Sequence, residues 1–236
     1  MKTQGSIVFV TGANRGLGLA FAREAQAHGA SKVYAGMRNT AGFDVPGIVP
    51  VQLDVTDPAS IRAAAALCGD TTLLINNAGI ARITPTPLDA KVEEQSREIF
   101  ETNYYGLIRV TQAFAPVLAR NGGGAVINVL SNATWLPVPV LTAYSASKAA
   151  AWSFTNNVRT QLKEQRTQVL ALHVGFIDTD LAKNVTAPKA SPADVARQTL
   201  EALAAGKNEV LADSGTRTVK QGLSDEAASY FSAATV

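Results

Sequence analysis

The chain has 236 residues, 47% apolar and 17% charged, with a formal net charge of +2. That composition supports a sizeable core and excludes global disorder, and the balanced charge without a Lys/Arg run argues against nucleic acid or an acidic surface as a partner. Cys68 is the only cysteine and His28 and His173 the only histidines, which excludes an intrachain disulfide, a cysteine metal cluster and a typical zinc site.

The apolar run near the start, in "MKTQGSIVFVTG", is too short for a signal peptide, and no segment is long enough to span a bilayer. A soluble cytoplasmic protein is the expectation. "SIVFVTG" reads as a buried strand stopped by glycine. Leu17, Ala20, Phe21 and Ala25 then follow helical spacing up to a C-terminal cap at Gly29. "KVYAGMR" and "GIVPVQLDVTD" read as the second and third strands. "DPASIRAAAALCG" is a helix with Asp57 as N-cap and Pro58 in its first turn. "TLLINNAG" supplies a fourth strand, residues 92–119 a long helical region, and "GAVINVLS" a fifth strand. A helix from "AYSASKAAAWSF" leads to "TQVLALHVG", a sixth strand. "SPADVARQTLEALAAG" is a helix announced by Ser191, Pro192 and Asp194, and "EVLAD" a final strand. Strands alternating with helices predict an α/β fold, one parallel sheet covered on both faces, and no linker or repeat divides residues 1–236. Past residue 214 the signal weakens, and Val219, Leu223 and Phe231 read as one face of a short helix in a C-terminal tail.

Two places carry chemistry. "VTGANRGLGLA" sets Gly12, Gly16 and Gly18 between the first strand and first helix. Such a turn aims backbone N–H groups and a positive helix end at a pyrophosphate, although the spacing G-x-x-x-G-x-G also suits a plain tight turn. Where a carboxylate after the second strand would accept from a ribose 2′-OH, this chain has Arg38, and Arg15 sits inside the turn. Each alone reads as a solvated surface charge; together they favour a 2′-phosphate and so NADP(H). The second place is "AYSASKAAAWSF". Tyr144 and Lys148, four apart on a helix, share a face among small residues, with room above them for something large and flat. An ammonium beside a phenol lowers its pKa, so the pair suggests an acid/base tyrosine; the plain alternative is an amphipathic surface helix.

"TGANRGLG", "LDVTD", "NNAG", "NYYG" and Ser131 with "YSASK", in that order, resemble the classical short-chain dehydrogenases/reductases over residues 7–179. The resemblance implies a single Rossmann-like doubly wound domain with a seven-stranded parallel sheet. Its site would lie at the carboxyl ends of the strands. It makes Tyr144 the proton donor, Lys148 its tuner and a ligand of the nicotinamide ribose, Ser131 the partner of the substrate carbonyl, and Asn103 part of a water relay. It places Gly12, Asn14, Arg15, Gly16, Leu17 and Gly18 at the phosphates, Asp54 and Val55 at the adenine, and Asn77, Ala78 and Gly79 near the adenosine ribose. Val174, Gly175, Ile177 and Thr179 would face the nicotinamide. Val174 stands where the family has proline, which leaves that strand exit less rigid.

The implied reaction is NADPH-dependent reduction of a ketone or aldehyde. A pocket of Ser131, Ala133, Leu136, Val138 and Tyr144, with Trp135 and Val140 as further walls, would suit apolar substituents. A non-catalytic NADP sensor and a sugar epimerase or dehydratase are the alternatives. Family resemblance also implies a homodimer or homotetramer formed through helices 92–119 and 144–164.

Overall fold

β-branched and apolar runs bounded by glycine and by capped helices form seven strands, and the computed structural model, which describes residues 1–231, joins all seven in one sheet. The first half gives β1 (Ile7–Thr11), α1 (Gly16–Ala27), β2 (Lys32–Met37), β3 (Ile48–Gln52), α2 (Pro58–Leu67) and β4 (Leu73–Asn76). The second gives α3 (Val92–Phe100), α4 (Gly106–Arg120), β5 (Gly124–Val129), α5 (Thr142–Lys163), β6 (Thr167–His173), α6 (Pro192–Ala204), β7 (Glu209–Leu211) and α7 (Ser214–Gln221). Every pairing is parallel, in the order β3-β2-β1-β4-β5-β6-β7. The chain therefore builds outward from β1 to one edge and restarts at β4 toward the other. This leaves a crevice where the carboxyl ends of β1 and β4 diverge, the place where such sheets bind ligands.

Both faces of the sheet are buried. Val8, Val10 and Val33 pack with Leu17 and Phe21 of α1 and Val195 and Leu200 of α6. Phe9, between Val8 and Val10, points the other way, into a cluster with Ile61 of α2, Phe114 of α4 and Leu162 of α5. The caps follow the sequence: the Asp57 carboxylate accepts from Ala59 N–H at 2.8 Å, and Gly29 follows α1 at φ 79°. Two asparagines inside the apolar strands donate across the core, although Asn76 Oδ1 itself has no partner among the described residues. Asn76 Nδ2 donates to Asn128 Oδ1 and to Thr111 Oγ1, and Asn128 Nδ2 donates to Thr155 Oγ1, at 2.9–3.0 Å. Buried amide N–H groups must find such partners, and these bind β4 and β5 to the helices that carry the site.

The long helical region expected over 92–119 runs without a break from Val92 to Arg120, and within it Glu101–Tyr105 winds as a π turn between α3 and α4, with Gly106 N–H donating to Glu101 C=O. Short π segments cluster at functional positions, and this one contains Asn103. One expectation changes: the tail is not one amphipathic helix. Val219 is buried on α7, but Leu223 falls in a following 3₁₀ turn and Phe231 is exposed in another. Residues 232–236 of that tail lie outside the described residues. Among the described residues no helix is long and apolar enough to cross a membrane.

Candidate active site

The crevice between β1 and β4 opens onto the glycine turn. Gly12 and Gly16 have φ of 66° and 56°, the left-handed region that glycine enters without a Cβ penalty. At Gly18 the reason is space: a Cβ would lie 2.2 Å from the Gly12 carbonyl oxygen and 2.5 Å from Asn77 Nδ2. The first turn of α1 has no side-chain cap and no acidic residue, so its N–H groups and positive end remain available to an anion. Leu17 is buried in the core, so its side chain supports the turn from below, whereas Asn14 and Arg15 are exposed. Asn77 and Ala78 hold the turn in place. Both donate backbone N–H to Thr11 Oγ1 at 2.9 Å, and Asn77 Nδ2 donates to the Thr11 and Gly12 carbonyls.

Four side chains expected to act together converge beside this turn. Ser131 follows β5, Tyr144 and Lys148 lie in the first turns of α5, and Asn103 lies in the π turn. Lys148 is 5% exposed; its Nζ donates to the Val129 carbonyl at 2.8 Å and stands 5.6 Å from the centre of the Tyr144 ring. Burial pulls its pKa down to about 8, so at neutral pH it still carries its proton. The Tyr144 phenol behaves differently from the sequence expectation: burial pushes it up, and the bond that lowers it comes from the Ser131 side chain. The lysine is near but is hydrogen-bonded to a neutral carbonyl, while the Ser131 hydroxyl accepts from Ala133 N–H at 3.1 Å and lies 3.4 Å from Asn132 Oδ1. Asn103 spends its side chain on bracing. Its Oδ1 accepts from Ile80 N–H at 2.8 Å, and its Nδ2 donates to Ile80 C=O and to Ser147 Oγ, which in turn donates to Tyr144 C=O.

Gly79 completes a cradle between the two halves. A Cβ there would stand 3.3 Å from Asn103 Oδ1 and 3.7 Å from Lys148 Nζ, so the missing side chain leaves this wall low enough for a flat ligand to lie between the turn and the lysine. The exit of β6 closes the opposite side. Val174 is buried and its carbonyl accepts from Asn132 N–H; Gly175 N–H donates to Asp213 Oδ2 at 2.8 Å. Ile177 bridges to Ala190, and Thr179 lies over the glycine turn, its Cγ2 3.3 Å from where a Gly16 Cβ would be. The Val174–Gly175 peptide, where the family has proline at the first position, is thus hydrogen-bonded at both its C=O and its N–H.

The two arginines are placed differently. Arg38 is exposed just past β2 and helps hold Asp54 ionised, behind the Thr56 backbone and hydroxyl, which lower that carboxyl most. Arg15 reaches over the turn to Asp180, Nη1 to Oδ2 2.8 Å, in a pair about two-thirds exposed on both sides. Val55 is buried with its side chain against Gly106.

Of the expected substrate walls, Ala133 and Val138 are buried, and Leu136 and Val140 are partly exposed. Trp135 stacks its indole on His173, centroids 4.0 Å apart, with Lys220 Nζ 4.3 Å above it. Asp213, Thr11, Asn76 and Asn128 support the site and were not singled out from the sequence. The signal available for the last two was an asparagine inside an otherwise apolar strand.

Residues 6–190 match a family model described as short chain dehydrogenase. The chain is similar to Dehydrogenase/reductase SDR family member 7B of Bos taurus, 31% identical over 87% of this chain and 73% of the relative. Among solved structures it resembles a short chain dehydrogenase from Burkholderia cenocepacia J2315 in complex with NADP, with TM-score 0.90, 38% identity, and 96% and 95% of the two chains covered. It also shares the fold of a short chain dehydrogenase/reductase from Burkholderia phymatum in complex with NAD, with TM-score 0.81, 22% identity and 94% of each chain covered.

Proposed function

This chain belongs to the short-chain dehydrogenase family of oxidoreductases, and from that premise we propose that it reduces a ketone or aldehyde to an alcohol with NADPH. The observation that carries the reading is the convergence of Ser131, Tyr144 and Lys148 beside an uncapped helix end and a glycine cradle suited to a dinucleotide. A nicotinamide dinucleotide held by the glycine turn, Gly79 and Lys148 would supply the hydride that the carbonyl carbon accepts. The protein's residues do the rest. Ser131 receives the substrate oxygen and steadies the charge growing on it, and Tyr144 delivers the proton that turns that oxygen into a hydroxyl. Lys148, charged and 5% exposed, favours the phenolate left behind and holds the nicotinamide ribose. Asn103 braces α5 against the Ile80 segment, and the water relay expected through it belongs to this proposal.

The preference for NADP rests on charge. No carboxylate ends β2; Arg38 stands there exposed, and Arg15 can leave an exposed ion pair at little cost to meet a 2′-phosphate. The NADP-bound relative at 38% identity supports the same choice. The apolar loop after Ser131 favours substrates with apolar groups, and assembly as a homodimer or homotetramer would use α3, α4 and α5. The test is oxidation of NADPH and of NADH against a panel of ketones and aldehydes. Consumption with NADPH ahead of NADH supports the reading, and tight binding without consumption contradicts it. Arg38→Ala is expected to weaken NADPH binding while sparing NADH, read by titration of cofactor fluorescence.

A further inference from the structure

Behind the substrate face of Ser131 lies a buried group that the reaction does not use. His173 ends β6 with its side chain 0% exposed. Its Nδ1 is 3.0 Å from the Ser131 carbonyl oxygen. A carbonyl only accepts, so Nδ1 carries the hydrogen and Nε2 keeps a lone pair. The same carbonyl accepts from Thr134 N–H at 3.2 Å, which gives both of its lone pairs a donor. The turn that presents the serine is therefore held from two sides, once by its own backbone and once by the histidine of the neighbouring strand. Ser131 Oγ in turn caps that turn, accepting from Ala133 N–H at 3.1 Å.

The imidazole is itself fixed. Trp135 stacks on it at 4.0 Å with planes 22° apart, and Trp152 packs edge-on to Trp135 at 5.8 Å. Lys220 of α7 lies over both indoles and pairs with Glu209 of β7 at 3.4 Å, while His173 Nε2, 3.6 Å from Glu209 Oε1, has no hydrogen-bond partner among the described residues. A core histidine could be replaced by leucine with little consequence for chemistry. This one makes its directed hydrogen bond to the main chain of the residue that receives the substrate oxygen.

We propose that His173, with its hydrogen on Nδ1 and its ring clamped by Trp135 beneath Lys220, is a positioning residue that sets where Ser131 presents its hydroxyl to the substrate and to Tyr144. Burial, helped by the nearby Lys220, Lys148 and Arg159 charges, keeps the ring neutral, the form in which one nitrogen donates and the other does not. The inference rests on the carbonyl-reductase reading, and it gives Lys220 of α7 a place in catalysis without contact with substrate.

The experiment compares wild type, His173→Asn, which keeps an N–H donor near the Nδ1 position, and His173→Leu, which keeps volume but no donor. The leucine variant is expected to bind NADPH as wild type does and to lose kcat by about 10- to 100-fold, the cost of misplacing a reacting group by roughly an ångström. The asparagine variant should recover most of that loss. A crystal structure of the leucine variant should show the Ser131 hydroxyl displaced from Tyr144. A leucine variant that folds and turns over at the wild-type rate, or an unmoved Ser131, overturns the proposal. If wild type reduces no carbonyl compound, the functional reading has failed, and the crystal comparison still decides the positioning claim. If the leucine variant does not fold, His173→Gln replaces it. Its donor lies at the Nε2 position, so activity equal to that of the asparagine variant would overturn the proposal, and lower activity supports it.

Discussion

The molecule holds two tyrosine–lysine pairs at opposite ends of its sheet, and only one is suited to acid/base work. Lys32 and Tyr34, at the start of β2, are as close as the active-site pair: Nζ to ring centre is 5.3 Å there and 5.6 Å for Lys148 and Tyr144. The difference is Asp70. It accepts from Lys32 Nζ at 2.6 Å and from Tyr34 Oη at 3.0 Å, and that bond raises the lysine above its ordinary range. Burial pushes the Tyr34 phenol up, as it does that of Tyr144. Both groups are locked in their protonated forms, and the lysine and carboxylate are about two-fifths exposed. At the other end none of the described residues gives Lys148 a carboxylate. Its partner is the neutral Val129 carbonyl, and burial moves its pKa down to about 8. Nearness of a cation to a phenol is therefore common to both sites. What separates them is whether an anion has already claimed the two groups.

That comparison can be broken most severely at the lysines. Lys148→Met should reduce NADPH-dependent turnover by about 10²–10⁴-fold, the range for losing acid/base assistance, while Lys32→Met leaves it unchanged; equal effects would erase the distinction. A smaller effect sharpens the account of the ground behind the site. His173 is held neutral with its pKa near 4 against 6.5 in the unfolded chain, the depression coming first from burial and then from Lys220, Lys148 and Arg159, with Glu209 facing its Nε2. The unfolded chain then binds the extra proton between those values, so stability is complete above about pH 6.5 and falls as pH drops toward 4. The loss is about 3 kcal/mol, measurable by urea unfolding at several pH values, and His173→Asn should flatten that limb. The smallest effect belongs to the decoy pair. Asp70→Asn should shift Tm only slightly, as exposed pairs do, and leave kcat unaltered.

The alternation of strands and helices, the glycine turn and the order of Ser131, Tyr144 and Lys148 were legible because each is a local pattern. They survived into the structure as seven parallel strands and one crevice. The π turn was not legible: residues 92–119 carry a helical pattern throughout, and Gly106, the residue that presses on Val55, reads as an ordinary helical glycine. Nor were the links from Asp213 to Gly175, His173 to Ser131 and Arg15 to Asp180, which join residues 38, 42 and 165 positions apart. Such contacts depend on which strands become neighbours, and a linear pattern does not encode that. Trp135 illustrates the point. Its place in an apolar loop suggested a pocket wall, and nothing in the linear pattern signals that it stacks on His173 beneath Lys220.

The central claim, that Tyr144 hands its proton to a carbonyl oxygen beside a bound reduced nicotinamide, is tested most directly by Tyr144→Phe. NADPH affinity by fluorescence titration and turnover with the best ketone of the panel are measured on the same preparation, with Tyr34→Phe as the control. Retained affinity with turnover reduced at least about 10²-fold in the first variant alone is the predicted result. Turnover in Tyr144→Phe equal to that of wild type would contradict the account.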